Sequence, residues 1–204
     1  MFVLALAVAA YAVLAYGLLP LGKLMGPEMR ANFVAHSVGI YTHVFAAAIA
    51  LALGPLQFAG RLRRRVPRLH RMSGRVYLAG VATGGLAGLY MSAFAYGGLV
   101  AKLGFAGLAL AWLYTGFRGY RAIRGGDVAG HRRWITRNFA LTLAAVTLRI
   151  LLPASQVSGI HFDVAYPAIA WLCWIPNLLL AEWAFVRRDS VAGSGVRDGI
   201  GAPG

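Results

Sequence analysis

Six long apolar stretches constrain the fold of this sequence more than any other feature. They occupy residues 1–21, 31–58, 75–97, 99–122, 134–153 and 164–186. A helix needs about 20 apolar residues to cross the hydrocarbon core of a bilayer, and there only a helix or a closed barrel satisfies its own backbone. The sequence therefore predicts an all-α fold, a polytopic membrane bundle of six transmembrane helices over residues 1–188.

Basic residues collect at alternate ends of the apolar stretches. Of the 20 Lys and Arg, seven arginines lie in residues 61–75, six in residues 118–137 and three after residue 186. Loops rich in Lys and Arg stay in the cytoplasm, which predicts that both termini lie on that side. Because topology accounts for the net charge of +14, a nucleic-acid partner is not indicated. We expect the arginine loops to contact anionic lipid headgroups instead.

The two ends of the sequence lead to separate expectations. The first apolar stretch has no Lys or Arg before it and no clear cleavage site after it, which favours an uncleaved helix over a signal peptide. Residues 189–204 are rich in Gly, Ser and Ala without apolar periodicity, so we expect a disordered cytoplasmic tail. Cys173 is the only cysteine of the sequence, which excludes an internal disulfide.

A polar stripe marks the fifth apolar stretch. At about 100° per residue, one helical face carries His131, Asn138, Thr142 and Arg149. Polar side chains inside a bilayer face the bundle rather than lipid. We expect this stripe to face the helix of residues 31–58, which carries small residues and histidines on one side. Its role is either to hold helices together or to form a path for protons or a ligand.

Two polar residues of the sixth stretch complete the predicted interior, Asn177 and Glu182. Glu182 lies near the cytoplasmic end, where Arg137 or Arg133 would pair with it. Arg149 lies near the outer end of its helix, and Asp163 is its candidate partner. Ion pairs of this kind hold helices in register when both charges are buried.

Histidines at two depths of the predicted bundle suggest a cofactor. His36 and His43 share one predicted helix, and His70 and His131 stand among arginines at the cytoplasmic ends of two others. Neutral imidazole is a common axial ligand of haem iron. On this hypothesis His36 or His43 binds one haem b, whose propionates face Arg149. His70 and His131 bind a second haem on the cytoplasmic side.

Each of these features also has an explanation without a cofactor. The histidines would then be hydrogen-bonded inside the bundle or solvated in basic loops. Gly80, Gly84 and Gly88 either leave space for a flat cofactor or let a neighbouring helix approach closely. Apart from haem iron, no metal site is indicated, because zinc requires three or four clustered ligands.

Several short segments together resemble a known family. They are His43 with Gly54-Pro55-Leu56-Gln57-Phe58, Arg68-Leu69-His70-Arg71 with Gly74-Arg75-Val76-Tyr77, His131-Arg132-Arg133-Trp134 with Arg137-Asn138-Phe139-Ala140-Leu141, Ala145-Val146-Thr147-Leu148-Arg149, and Trp174-Ile175-Pro176-Asn177-Leu178 with Glu182. Over about residues 36–186, the combination resembles the bacterial predicted membrane protein family called domain of unknown function 2306. The resemblance implies a helical bundle in the bacterial inner membrane and supplies no activity. The motif positions that it marks are His43, His70, His131, Arg149, Asn177 and Glu182.

These observations lead to hypotheses of different classes, and they leave open whether the protein is an enzyme. The first is a haem b-binding electron carrier that passes electrons to a quinone or another redox partner. The second is a non-enzymatic bundle that binds a lipid or small amphiphile, or acts as an accessory membrane subunit. A third is a small-solute transporter built around the polar stripe.

Overall fold

The computed structural model describes residues 2–23 and 26–186. The tail predicted for residues 189–204 therefore lies outside the described residues. Within the described ranges the regular secondary structure is helical and contains no strand. This confirms the all-α class that the apolar stretches predict.

Ten α-helices and one π-helical turn make up the described part of the chain. They are α1 (Phe2–Leu18), α2 (Pro27–Ala35), α3 (Ser37–Gln57), α4 (Gly60–Arg65), α5 (Pro67–Ser92), α6 (Gly98–Arg124), α7 (Val128–Thr142), α8 (Ala144–Val157), α9 (Phe162–Leu172), α10 (Ile175–Ala181) and the π-helical turn Glu182–Val186. Four helical units have the length and hydropathy to cross a membrane. They are α3, α6, the α7–α8 unit Val128–Val157 and the α9–α10 unit Phe162–Ala184.

The other two predicted spans are helical but fall short of the same criteria. Helix α1 is apolar throughout and has 17 residues. Helix α5 has 26 residues, but it begins inside the arginine-rich loop, and its glycines contribute little hydropathy. Pro67 starts α5 at its first turn, where the missing N–H of proline is tolerated. The structure thus contains four candidate spans and two shorter or less apolar helices beside them.

The ends of the helices gather at two opposite ends of the bundle. The arginine-rich end contains the connections from α3 to α5 and from α6 to α7. At the other end, the Asn32 amide donates to the carbonyl oxygen of Phe94 at 3.3 Å, and the Tyr96 hydroxyl donates to the carboxylate of Asp163 at 2.5 Å. Asp163 therefore binds Tyr96 and is not the partner of Arg149 that the sequence suggested.

Glycines on α5 let α3 approach to backbone contact. A Cβ at Gly80 would lie 2.9 Å from the carbonyl oxygen of Ala46, and a Cβ at Gly88 would lie 2.7 Å from Nδ1 of His43. Side-chain carbons do not approach that closely, so these positions require glycine. The glycine face of α5 is thus filled by α3. Of the two explanations for these glycines, the structure supports helix packing.

The fifth and sixth apolar stretches are each interrupted. Leu143, with φ −68° and ψ −8°, separates α7 from α8. Trp174, with φ −128° and ψ −34°, separates α9 from α10, where Pro176 lacks the N–H that would continue the helix. Each interruption changes the direction in which later side chains point. This is why the polar stripe does not remain on one face.

Candidate functional site

A cavity of about 1370 Å³ opens at the arginine-rich end of the bundle. Apolar side chains that line it include Pro55, Phe58, Leu78, Ile135, Phe139 and Leu180. Its cationic side chains include Arg63, Arg71, Arg75, Arg124 and Arg132. Guanidinium groups bind carboxylates and phosphates strongly. The cavity therefore suits a ligand with an apolar body and an anionic group.

His131 lines this cavity from the first turn of α7. Its Nδ1 lies 2.8 Å from the carbonyl oxygen of Gly119 on α6. A carbonyl only accepts, so Nδ1 carries the hydrogen, and Nε2 of the neutral ring keeps a free lone pair. Helices α6 and α7 approach closely at this point. A Cβ added at Gly119 would lie 2.9 Å from Cδ1 of Ile135.

His70 lines the same cavity from the first turn of α5. Its Nδ1 is buried and has no hydrogen-bond partner among the described residues. Burial lowers the pKa of His70, and the nearby guanidinium groups of Arg63 and Arg71 and the ring of His131 lower it further. The ring is therefore neutral near pH 7. A buried nitrogen without a partner is destabilising, which favours a bound group that uses it.

Asn138 and Thr142 belong to a buried hydrogen-bond network between α5, α6 and α7. The Asn138 amide donates to the carbonyl oxygen of Trp112 at 2.7 Å and to the hydroxyl of Thr115 at 2.8 Å. Its Oδ1 accepts from the Tyr77 hydroxyl at 2.6 Å. The Trp112 indole donates to the hydroxyl of Thr142 at 2.8 Å. Since both amide hydrogens of Asn138 are used and its exposure is 0%, this network holds three helices together.

The orientation of the polar stripe differs from the sequence expectation. Asn138 and Thr142 face α5 and α6, whereas Arg149, beyond the break at Leu143, lies against α1 and α3. The structure therefore does not bring Asn138, Thr142 and Arg149 together on one face. Sequence reasoning did not single out the two aromatic partners of this network, Tyr77 and Trp112. A buried Asn side chain requires several hydrogen-bond partners, and this requirement predicts polar or aromatic partners on neighbouring helices.

A second pocket, of about 60 Å³, lies between α1, α3 and α8. His43 and Arg149 line it, and the Nδ1 of His43 lies 2.8 Å from the carbonyl oxygen of Gly84. As with His131, Nδ1 must donate, and Nε2 is left with the lone pair. One terminal N–H of Arg149 donates to the carbonyl oxygen of Ala145 at 2.9 Å. The guanidinium carbon lies 5.7 Å from the ring centroid of Tyr11.

His36 lies apart from both pockets, at the junction of α2 and α3. Its Nδ1 is 2.8 Å from the Tyr90 hydroxyl, and its ring stacks on Phe94 with the centroids 3.6 Å apart. These contacts tie the end of α5 to the start of α3. The structure therefore gives His36 aromatic and hydrogen-bonding partners at the end opposite the large cavity.

Asn177 and Glu182 occupy different surroundings. The Asn177 amide donates to the Thr147 hydroxyl at 2.9 Å and so ties α10 to α8. Glu182 accepts two hydrogen bonds from the Arg137 guanidinium, at 2.8 and 2.9 Å, which is one of the two pairings that the sequence suggested. The Glu182 side chain is 36% exposed, because it starts the π-helical turn after α10. Glu182 thus lies at the rim of the bundle rather than in its interior.

Several long apolar helices, a buried polar network and arginines gathered at one end define a helical membrane protein. The chain belongs to the family of predicted membrane proteins called domain of unknown function 2306, whose model matches residues 40–185. The matched range includes His43, His70 and His131 and leaves out His36. No curated protein and no solved structure matches the chain.

Proposed function

We propose that this protein is an electron carrier of the bacterial inner membrane that binds haem b in the cavity at the arginine-rich end. His70 and His131 are the residues that would hold its iron. One observation carries the proposal: both histidines line a single cavity among arginines, and Nδ1 of His70 is buried with no hydrogen-bond partner in the described part of the chain. The proposed topology has six spans and cytoplasmic termini. The helical state of α1 and α5 and the gathering of arginines support it.

The residues of the cavity fit a haem in size and in chemistry. Pockets for small ligands measure about 300–1,000 Å³, so a cavity of about 1370 Å³ has room for a group as large as a haem. Among the described residues, no three His, Cys, Asp or Glu side chains are grouped so as to hold a metal ion. A haem iron would need only one or two donors from the protein, because the macrocycle would supply the others. Two histidines are therefore a sufficient donor set.

The side chains of the cavity would each contribute differently to binding a haem. The carbonyl oxygen of Gly119 would fix the tautomer of His131 and the orientation of its ring. Arg71, Arg75 and Arg132 supply N–H donors for carboxylates. The apolar side chains exclude water from the space between them. A bound haem would supply one-electron chemistry. A quinone or another redox partner in the membrane would exchange electrons with it.

The other histidines that the sequence offered as haem ligands are not part of this proposal. The pocket of His43 and Arg149 measures about 60 Å³, which is far below the volume of a ligand pocket. His36 is stacked against Phe94. The pocket of His43 has no room for a macrocycle, and the His36 ring already has Phe94 and Tyr90 as partners.

Visible spectroscopy tests the haem proposal. The full-length protein, expressed with ample haem and purified in detergent, should show a Soret band and a b-type difference spectrum on reduction with dithionite. His70→Ala and His131→Ala should each lose most of the bound haem, because each removes an imidazole that would hold the iron. His161→Ala is the control, since the His161 side chain is 87% exposed. A colourless wild-type protein, or haem content unchanged in both variants, would contradict the proposal.

A second candidate function uses the same cavity without iron. The apolar side chains beside five arginines suit an anionic lipid or another anionic amphiphile. Native mass spectrometry would then detect a co-purifying lipid on a colourless protein. Arg71→Gln with Arg75→Gln should release that lipid, whereas His70→Ala should retain it. The same lipid content in all variants would count against this candidate.

A further inference from the structure

The smaller pocket contains a positive charge without an acidic partner. Arg149 lies within the candidate span Val128–Val157, where an unpaired cation is costly. No acidic side chain of the described residues forms an ion pair with Arg149. A guanidinium has five N–H donors, and the described contacts of Arg149 use one of them, to the carbonyl oxygen of Ala145. The remaining donors are available to a ligand.

His43 supplies a nitrogen lone pair in the same pocket. Its Nδ1–H is held by the carbonyl oxygen of Gly84, and a Cβ at Gly88 would contact the ring. The ring is therefore fixed, and Nε2 has no hydrogen-bond partner among the described residues. Neutral His43 offers a lone pair at Nε2, and protonated His43 offers an N–H there.

The size of the pocket limits what it holds. A water needs about 10–15 Å³, and the pocket measures about 60 Å³. It has room for a few waters or one small ion, and an aromatic ring does not fit. Its apolar lining includes Val8, Ala9, Ala12, Val44, Ala48 and Leu51. These side chains offer no hydrogen bonds, so Arg149 and His43 decide the chemistry.

We propose that this pocket binds one small monovalent anion, of halide size, together with a proton on Nε2 of His43. The Arg149 guanidinium donates to the anion. The lone pair of neutral His43 repels an anion, whereas the N–H of protonated His43 donates to it. The anion and the proton together add no net charge, so they enter an apolar region more easily than the anion alone.

Few groups compete for this proton. The charged group that faces His43 is Arg149 of α8. Tyr11 and Tyr16 of α1 lie next to Arg149, and α5 presents the backbone of Gly84. No carboxylate of the described residues faces the pocket. The proton would therefore reside on the imidazole.

Calorimetry with bromide tests the proposal on the full-length protein in detergent. The buffer contains gluconate, which is too large for the pocket, and the titration is made on both sides of the ordinary histidine pKa of about 6.5. Buffers with different ionisation enthalpies give the number of protons taken up. We expect one proton per bromide, and an affinity that falls about tenfold per pH unit where His43 is neutral before binding.

Variants assign the signal to the pocket. His43→Gln should bind bromide more weakly, without proton uptake and without pH dependence. Arg149→Gln should abolish saturable binding. His161→Gln, in an exposed loop, should behave as wild type. His70→Ala should keep bromide binding even if it loses haem, so this proposal and the haem proposal can fail separately.

Two results would overturn the proposal. One is the absence of saturable bromide binding to wild type, and the other is proton uptake that persists in His43→Gln. Surface arginines also attract anions, so the difference between wild type and His43→Gln is the decisive quantity. If Arg149→Gln does not fold, Arg149→Lys retains the charge and should retain weakened, proton-coupled binding.

Discussion

His43 and His131 are held in the same way but face pockets of very different size. Each donates its Nδ1–H to a glycine carbonyl on a neighbouring helix at 2.8 Å. The pocket beside His131 measures about 1370 Å³ and the one beside His43 about 60 Å³. The hydrogen bond decides which nitrogen is free, and the packing around the ring decides what reaches it. One type of histidine contact thus serves two different sites.

The two pockets also differ in how their charge is accommodated. The large cavity lies at the arginine-rich end, where water and lipid headgroups reduce the cost of several cations. The small pocket has one arginine inside a candidate span, where water is scarce. We therefore propose a large anionic ligand for the first and a small anion with a proton for the second.

The buried network lies between the two pockets. Tyr77 lines the large cavity, and its hydroxyl binds Asn138. Trp112 binds Thr142 and lies beside Gly84, whose carbonyl oxygen holds His43. A change in this network is therefore expected to affect both pockets.

The largest expected effect is that of Asn138→Ala, which should disturb both pockets through the buried network. It leaves the Tyr77 hydroxyl, the Thr115 hydroxyl and a carbonyl oxygen with fewer partners in a dry interior. We expect the free energy of unfolding to fall by about 3 kcal/mol and the Tm in detergent by roughly 6–12 °C. Thr136→Ala is the control, because the Thr136 hydroxyl binds only a carbonyl oxygen of its own helix. Equal Tm values for the two variants would show that the network does not stabilise the bundle.

Gly88→Ala should disturb the small pocket alone. The new Cβ would lie 2.7 Å from Nδ1 of His43, so the ring must move away from Gly84. We expect a loss of about 1–3 kcal/mol of stability and weaker bromide binding, with unchanged occupancy of the large cavity. Gly17→Ala is a matched control, since no atom of the described residues lies within 4 Å of its added Cβ. A wild-type bromide affinity in Gly88→Ala would mean that the position of His43 is unimportant.

Arg137→Lys should loosen the contact between α7 and the π-helical turn Glu182–Val186 and leave the small pocket intact. Lysine cannot make the two parallel bonds that Arg137 makes to Glu182. The side chains are 20% and 36% exposed, so the expected loss of stability is about 1 kcal/mol or less. A double-mutant cycle with Glu182→Gln measures the coupling. Additive effects of the two changes would show that the pair contributes nothing.

The smallest expected effect is the pH dependence contributed by His70. Its pKa is lowered in the folded protein by burial and nearby positive charges, whereas the unfolded chain has the ordinary value of about 6.5. The unfolded state therefore binds the proton more readily, and stability is lost as the pH falls below about 6.5. His70→Gln should reduce the slope of Tm against pH in that range. An unchanged slope would assign the pH dependence to other groups.

Part of the site follows from residue types and their spacing. Arginine clusters predict that His70 and His131 lie near one membrane face, and both line the large cavity. Positions near the same end of two helices predict that Glu182 pairs with Arg137 or Arg133, and the structure shows the pair with Arg137. These predictions succeed because charge distribution and helix length are local properties of the sequence.

Other parts of the site depend on where helices break and which neighbours they meet. The interruption at Leu143 turns Arg149 away from Asn138 and Thr142. Helical periodicity assumes an unbroken helix, so it placed all three on one face. The partners of Asn138 come from α5 and α6, and no spacing within α7 specifies them.

By itself, the sequence determined the helical membrane class, the arginine-rich end and the residue types that carry charge in the bundle. The length and hydropathy of these stretches place them in lipid, where an unpaired backbone N–H or C=O group is costly. A helix pairs these groups within the stretch itself. Only the tertiary structure decided that His70 and His131 share a large cavity while His43 and Arg149 share a small one. Those volumes depend on side chains and glycine contacts from several helices at once, and such contacts join residues that are distant in the chain.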